Sequence, residues 1–261
     1  MSRQQYTVPA VEKALRILKY LKKRGSRSCS VTQIARELGI NKGTCFTILQ
    51  TLVAHNFVNF NENTKEYSLG WALPELAGAV MEQASWPKLA RLKIKSLLDG
   101  TYFTGCIWKR VSFRRVILLD KIELENQTRI TLPLGTRMPI TAGSMGQCFT
   151  AFLPEEEREQ LIKTELIKFT PHSLCDPEVF RKKIKEVQER GFAEDYEGYE
   201  RGISGVSAPV FDAEGNVLTV LTLVTISSLY SKDVIRTYGQ KLAECSREMT
   251  ALLGGKFPGM R

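Results

Sequence analysis

The chain has 261 residues, 43% of them hydrophobic and 25% charged, with a formal net charge of +9. That composition is globular and leaves room for one large domain or two ordinary ones. It excludes a membrane span, because no apolar run reaches roughly 18 residues.

Six cysteines (Cys29, Cys45, Cys106, Cys148, Cys175 and Cys245) stand singly, and the only histidines, His55 and His172, lie in no recognisable motif. Zinc sites want Cys and His at close paired spacing, and hydrolases want a Ser or Cys with a placed His. No metal, no cofactor and no catalytic set is therefore expected. The opening residues MSRQQYTVPAVEK lack the apolar core of a secretion signal, so the expected location is cytoplasmic.

From Val11 to Lys23, VEKALRILKYLKK sets Val11, Leu15, Leu18 and Leu21 on one face with Lys and Arg opposite, an amphipathic helix that stops at Gly25. Ser30 or Thr32 can cap a second helix, which turns Ile34, Ala35 and Leu38 inward and ends at Gly39. Asn41 can cap a third, running to about His55 with Cys45, Ile48, Leu49 and Leu52 inward. Only Gly39-Ile40-Asn41 joins the two, which is helix-turn-helix spacing. FVNF and KEYSL then flank a polar NENT and form a hairpin. A helix-turn-helix followed at once by a hairpin is a winged helix.

Charge points to a polyanionic partner at this end of the chain. Residues 1–70 hold 11 Lys and Arg against 4 Asp and Glu, a net +7, whereas residues 71–261 hold 26 against 24, a net +2. With the third helix in a DNA major groove, the positions not needed inward are Lys42, Gly43, Thr44, Phe46, Thr47 and Gln50. Gln50 suits adenine, Thr44 or Phe46 a thymine methyl, and Lys42 a phosphate or guanine. Gly43 allows close backbone approach. Lys65 in the wing is the expected phosphate contact, with Arg27 and Arg36 adding others. One recognition helix per chain calls for a second copy, so a homodimer on a near-palindromic double-stranded DNA operator is expected. The helix from Val11 to Lys23 and the nearly uncharged helix after the wing offer the surfaces for it.

That later helix, WALPELAGAVMEQAS, runs from Trp71 to about Ser85, with Pro74 in its first turn. PKLARLKIKSLLDG is helical; TGCIWKR, RRVILLDKIE and QTRITLPLG are β-rich; GSMGQCFTAFL, EEEREQLI and PEVFRKKIKEVQERG are helical. GVSAPVFDAEGNVLTVLTLV is a hairpin turned at Asp212-Ala213-Glu214-Gly215, and DVIRTYGQKLAECSREMTALLG is a final helix. The sum is an α+β sheet domain. The expected divisions are 1–70 for the winged helix, 71–86 for a linker helix, 87–254 for the sheet domain and 255–261 for a disordered tail.

VPAVEKALRILKYL, the turn and wing ending YSLG, LGTRMPITAGSMGQCFTAFLPEEE and RGFAEDYEGYERGISGVSAPVFDAEGNV occur in an order and spacing that resemble the isocitrate lyase regulator (IclR) family of bacterial transcription factors. The resemblance runs from about Val8 to Gly254. It implies a winged helix-turn-helix joined to a GAF-like effector-binding domain, a small-molecule effector, and a tetramer built as a dimer of dimers. It places the effector against Ser144, Met145, Asp195, Gly205, Thr222 and Val224. The loop MPITAGSMGQC fits such a role on its own chemistry, because free N–H groups at a helix start favour an anion.

The family usually has arginine at the position of Thr47, lysine at Gln147 and histidine at Thr141. Hydroxyls or a thiol often stand where this chain has Gly205 and Val224. A less polar pocket, suited to a carboxylate with an apolar or aromatic body, is therefore expected.

Two other readings of the residues stand beside the regulator. In one the second domain only oligomerises. In the other it is an enzyme docked to nucleic acid, although the acidic cluster Asp195, Glu197 and Glu200 lacks a partner nucleophile, metal set or phosphate loop and reads better as a solvated turn.

Overall fold

In the computed structural model, which describes residues 7–25, 27–83, 86–124 and 130–258, two of the amino-terminal helices begin at side chains that cap them. Helix α1 (Pro9–Arg24) runs up to Gly25. Ser30 caps α2 (Val31–Leu38), its side chain accepting from the Gln33 N–H at 3.3 Å. Gly39 follows at φ 62°, a left-handed conformation that glycine adopts without a Cβ penalty. Asn41 caps α3 (Lys42–Ala54), with Oδ1 accepting from Gly43 N–H at 2.9 Å and Thr44 N–H at 3.4 Å. Strands β1 (Cys29–Ser30), β2 (Val58–Asn61) and β3 (Glu66–Leu69) form a sheet in the order β1-β3-β2, the wing. Ile17, Leu21, Ile34, Cys45, Leu49, Val58 and Tyr67 pack together beneath it.

One expected face is corrected here. Helix α1 buries Ile17 and Leu21, while Val11 and Leu15 are exposed. At about 3.6 residues per turn, Val8, Val11 and Leu15 lie on a stripe rotated away from Ile17 and Leu21. Helix α4 (Ala72–Gln83) then starts with the Ala72 N–H on the Asn56 carbonyl at 3.0 Å and leaves Trp71 and Leu76 exposed.

The chain divides into two units, Met1–Ala84 and Ser85–Arg261. The second starts with α5 (Trp86–Leu98), then β4 (Thr104–Arg110), β5 (Arg115–Ile122) and β6 (Arg137–Pro139). Three helices follow, α6 (Gly143–Ala151), α7 (Glu155–Glu165) and α8 (Pro177–Arg190). Strands β7 (Ala193–Tyr196), β8 (Ile203–Phe211) and β9 (Val217–Ile226) and helix α9 (Lys232–Leu252) complete it. Six strands pair antiparallel in the order β6-β5-β4-β9-β8-β7.

Alternation along the strands sorts the core into two layers. Ile107, Val206, Ala208, Val210, Leu221 and Leu223 meet α5 and α9 on one face. Cys106, Trp108, Val116, Leu118 and Val220 meet α6 and α8 on the other. By the same period, Gly205, Ser207, Thr222 and Val224 turn to the α6 face.

Two further expectations are corrected. Of QTRITLPLG, residues 127–129 lie outside the described residues and Ile130–Leu134 is not strand; the pairing with β5 falls on Arg137–Pro139 instead. Pro133 has no N–H to donate to a ladder. The expected tail, as far as Pro258, is anchored. The Lys256 N–H donates to the Asp212 carbonyl at 3.0 Å, and the Phe257 ring lies 4.7 Å from that of Phe211. Residues 259–261 lie outside the described residues. No described helix is long and apolar enough to cross a membrane.

Candidate nucleic-acid interface and ligand cavity

Burial of Cys45 and Leu49 fixes how α3 is rotated. Lys42, Gly43, Thr44, Phe46, Thr47 and Gln50 are consequently all exposed, on one continuous face that starts at the helix N-terminus. Thr47 Oγ1 donates back to the Gly43 carbonyl at 3.1 Å. Lys65 sits at the tip of the wing with φ 55°, its Nζ 5.9 Å from the Phe60 ring centroid. Arg27 is exposed, and exposed Arg36 pairs with its neighbour Glu37 at 3.3 Å. The structure thus brings the six α3 positions together on one exposed face, with Arg27, Arg36 and Lys65 elsewhere on the surface of the same unit.

In the second unit a cavity of about 140 Å³ lies between the sheet and the start of α6. All six residues named for an effector line it: Ser144, Met145, Asp195, Gly205, Thr222 and Val224. Its remaining wall is mostly apolar, from Trp108, Ile130, Leu132, Met138 and Ile203. The hydroxyls largely satisfy one another. Ser144 Oγ lies 2.9 Å from Ser207 Oγ, which lies 2.8 Å from Thr222 Oγ1. Gly205 is required by close approach, since a Cβ there would stand 2.9 Å from the Leu223 carbonyl oxygen. Any larger residue at 205 would push on β9 as well as fill the cavity.

At the other wall, no side chain caps α6, whose first-turn N–H groups at Gly143, Ser144 and Met145 border the cavity. Asp195 faces them from β7. It is no solvated turn residue, which corrects the reading for this member of the acidic cluster while Glu200 is exposed in the loop: burial pushes the Asp195 carboxyl up to about 6, against the opposing pull of backbone N–H groups of Tyr199 and Gly198. The Gly198 N–H donates to Oδ2 at 3.1 Å. The loop after β7 is pinned over the site, with Thr170 Oγ1 donating to the Glu197 carbonyl and Ser173 Oγ to the Gly198 carbonyl, each at 2.6 Å.

The raised carboxyl makes a prediction with a definite sign. A folded-state value above the ordinary 3.8 means the neutral form is favoured by folding, so stability is lost as pH rises through about 6. Asp195→Asn should escape that loss. Its melting temperature relative to the parent is expected to rise between about pH 4 and 6 and level off above, by calorimetry at stepped pH. A gap that stays constant across this window would show that Asp195 is already charged at no cost.

Positions where the family pattern is not followed are accommodated locally. Thr141 is buried and donates to the Glu165 carbonyl at 2.7 Å; Gln147 is buried and donates to the Glu194 carbonyl at 3.3 Å. Burial raises Cys106 to about 12 and Cys148 further, which disfavours the thiolate at these two positions. Among the described residues no group of three or more His, Cys, Asp or Glu is placed to hold a metal ion.

Sequence reasoning missed Trp108, Tyr199 and Ile203 as lining residues. A signal existed for the sheet floor. Small Gly205 and Ser207 alternate with apolar Val206, Ala208 and Val210, which marks one face of β8 as different from a packed core.

Comparison with known proteins bears on both sites. Residues 10–62 match the IclR helix-turn-helix domain, and residues 110–251 match the bacterial transcriptional regulator IclR C-terminal domain. The HTH-type transcriptional repressor AllR of Escherichia coli is 27% identical over 253 residues, covering 95% of this chain and 91% of that protein. A crystal structure of an IclR transcriptional regulator from Alicyclobacillus acidocaldarius is 30% identical with a TM-score of 0.87, covering 96% of this chain and 100% of that one. An IclR homolog from Microbacterium hydrocarbonoxydans, crystallised with 4-hydroxybenzoate, shares the fold at 17% identity and a TM-score of 0.76, covering 92% of this chain and 99% of that one.

Proposed function

The chain belongs to the IclR family of bacterial transcriptional regulators, and from that premise we propose that it binds a near-palindromic operator and releases or tightens its hold when a small organic acid fills the cavity beside α6. The cavity carries this reading. Its volume of about 140 Å³ suits a single ring or a branched chain of similar size, since an apolar cavity of about 150 Å³ accepts benzene. Uncapped helix N–H groups at its wall favour a carboxylate. The Microbacterium relative's 4-hydroxybenzoate is a molecule of this kind.

DNA would be read by the exposed face of α3 and gripped by Lys65, Arg27 and Arg36. A homodimer, or a dimer of dimers, would present two such helices to half-sites about 34 Å apart or a multiple of that. Phosphate contacts would make binding strongly salt-dependent.

Gln50→Ala is expected to cost about 1–3 kcal/mol and to relax preference at one operator position, whereas Lys65→Ala weakens all sequences alike. Selection of binding sites from a random DNA pool reads both effects. Unchanged specificity in Gln50→Ala would mean that α3 enters the groove in another orientation.

A ligand shifts DNA affinity only by its differential affinity for two arrangements of the protein, ordinarily by about 1–3 kcal/mol. Melting-temperature shifts with a library of aromatic and branched aliphatic acids identify compounds that bind. Val224→Phe fills the cavity from β9 without the backbone clash at Gly205. It is expected to bind operator normally and to lose the response to any compound so found. If this variant folds, binds DNA and still responds in full, the effector sits elsewhere; if no acid shifts the melting temperature, the second unit serves oligomerisation alone.

A further inference from the structure

Two carboxylates, Asp195 and Glu200, line the cavity beside α6, and among the described lining residues there is no Lys, Arg or His. The influences on the Asp195 carboxyl are its own burial and the backbone N–H groups of Tyr199 and Gly198, with no cation among them. A plain acid would therefore set its carboxylate against like charge. Two carboxylates sharing one site repel strongly, so a proton or a positive group must come between them.

The polar features of the wall adjoin. A Cβ built on Gly143, the first residue of α6, would stand 3.7 Å from Asp195 Oδ2. Bonding within α6 starts with the Gly146 N–H, which donates to the Ala142 carbonyl at 2.9 Å. That leaves the N–H groups of Gly143, Ser144 and Met145 for an anion. Asp195 Oδ2 accepts the Gly198 N–H at 3.1 Å, and a carboxylate with about four acceptor positions can receive further donors. A subsite for an anion and one for a cation thus lie side by side. Apolar wall continues from them across β9 and β4, through Val224 and Trp108.

We propose that the effector is an α-amino acid with an apolar or aromatic side chain, its carboxylate on the first-turn N–H groups of α6 and its ammonium on Asp195. Asp195 is then the residue that selects amino acids over plain acids. Adjoining subsites call for both charged groups on one carbon, and the apolar wall takes the side chain. The proposal rests on the cavity being the effector site and adds the ammonium. An amino acid bound this way is neutral overall and gives the Asp195 charge a partner, whereas a plain acid of the same size adds a second unpaired anion.

The test is titration calorimetry on the full chain at neutral pH. L-leucine, L-methionine and L-phenylalanine are compared with 4-methylpentanoate, 4-(methylsulfanyl)butanoate and 3-phenylpropanoate, which lack only the amine. At least one amino acid is expected to bind about tenfold or more tightly than its deaminated partner. 6-Aminohexanoate, an isomer of leucine with its two charges far apart, is expected to bind no better than 4-methylpentanoate. Asp195→Asn, uncharged and of the same shape, is expected to erase the preference while binding the plain acid at least as well as the parent does. The comparisons within pairs are made on the parent protein and do not depend on the variant folding.

Equal or tighter binding of every deaminated partner, tight binding of 6-aminohexanoate, or a preference that survives in Asp195→Asn would overturn the proposal. Plain acids that bind the parent and not Val224→Phe would then leave the cavity as an acid site without an ammonium subsite. Absence of binding by all of these compounds would overturn the proposal too, and the wider acid library would decide separately whether the cavity is the effector site.

Discussion

Leu49→Ala is expected to unfold the amino-terminal unit and abolish operator binding while the sheet unit stays folded. Leu49 is fully buried in α3, in a core shared with Ile17, Leu21, Ile34 and Tyr67. Truncating a buried leucine costs about 2–5 kcal/mol. A unit as small as Met1–Ala84 has little stability to spare, because small domains bury a lower fraction of their surface. The loss should appear as a separate low-temperature melting transition and a gel shift reduced to background. Gln50→Ala, one residue away but exposed, should leave melting unchanged, which separates a folding effect from a contact effect. A Leu49→Ala protein that melts in one unshifted transition and still binds operator would contradict the packing described for α3.

Gly146→Ala should strike the other unit as hard. A Cβ on Gly146 would stand 2.3 Å from the Thr141 carbonyl carbon and 2.8 Å from the Ile140 carbonyl oxygen. Both are backbone atoms, so no side chain can swing aside and α6 must move off the segment before it. Overpacking of this kind costs about 3 kcal/mol or more, a fall of about 6–12 °C in the melting of a unit this size. Gly78→Ala provides the control, because a Cβ there meets nothing within 4 Å and the helix α4 gains a better helix former. The α6 start borders the cavity, so any Gly146→Ala protein that survives should also bind acids poorly. A melting temperature within a degree of the parent would mean that α6 is free to shift, and the cavity geometry would then be far softer than described.

Much of this was legible in the residues because it is local. Ser30 and Asn41 announce α2 and α3 through hydrogen bonds that reach only two or three residues ahead. Gly39 marks the turn by its tolerance of positive φ, and alternation along β8 and β9 tells which residues share the cavity face. The six effector residues came from resemblance to a family, and the fold explains the set: they are neighbours across β7, β8 and β9 and at the start of α6.

What only the tertiary structure decided is which apolar or polar groups lose their water, since burial is set by segments far apart in the chain. Two stripes on α1 are equally apolar on paper, but the packing of the unit covers Ile17 and Leu21 and leaves Val11 and Leu15 outside. Gly255 to Phe257 looked like tail until the Asp212 turn supplied a carbonyl and Phe211 a ring. Asp195 reads as one carboxylate among several near a turn; its raised carboxyl follows from the wall of α6 and the pinned loop above it. Trp108 reads as an ordinary β-strand aromatic, and nothing near it in the chain foretells that its N–H would be buried with no acceptor. Hydrogen bonds between near neighbours are written where they occur, whereas desolvation is a property of the assembled layers.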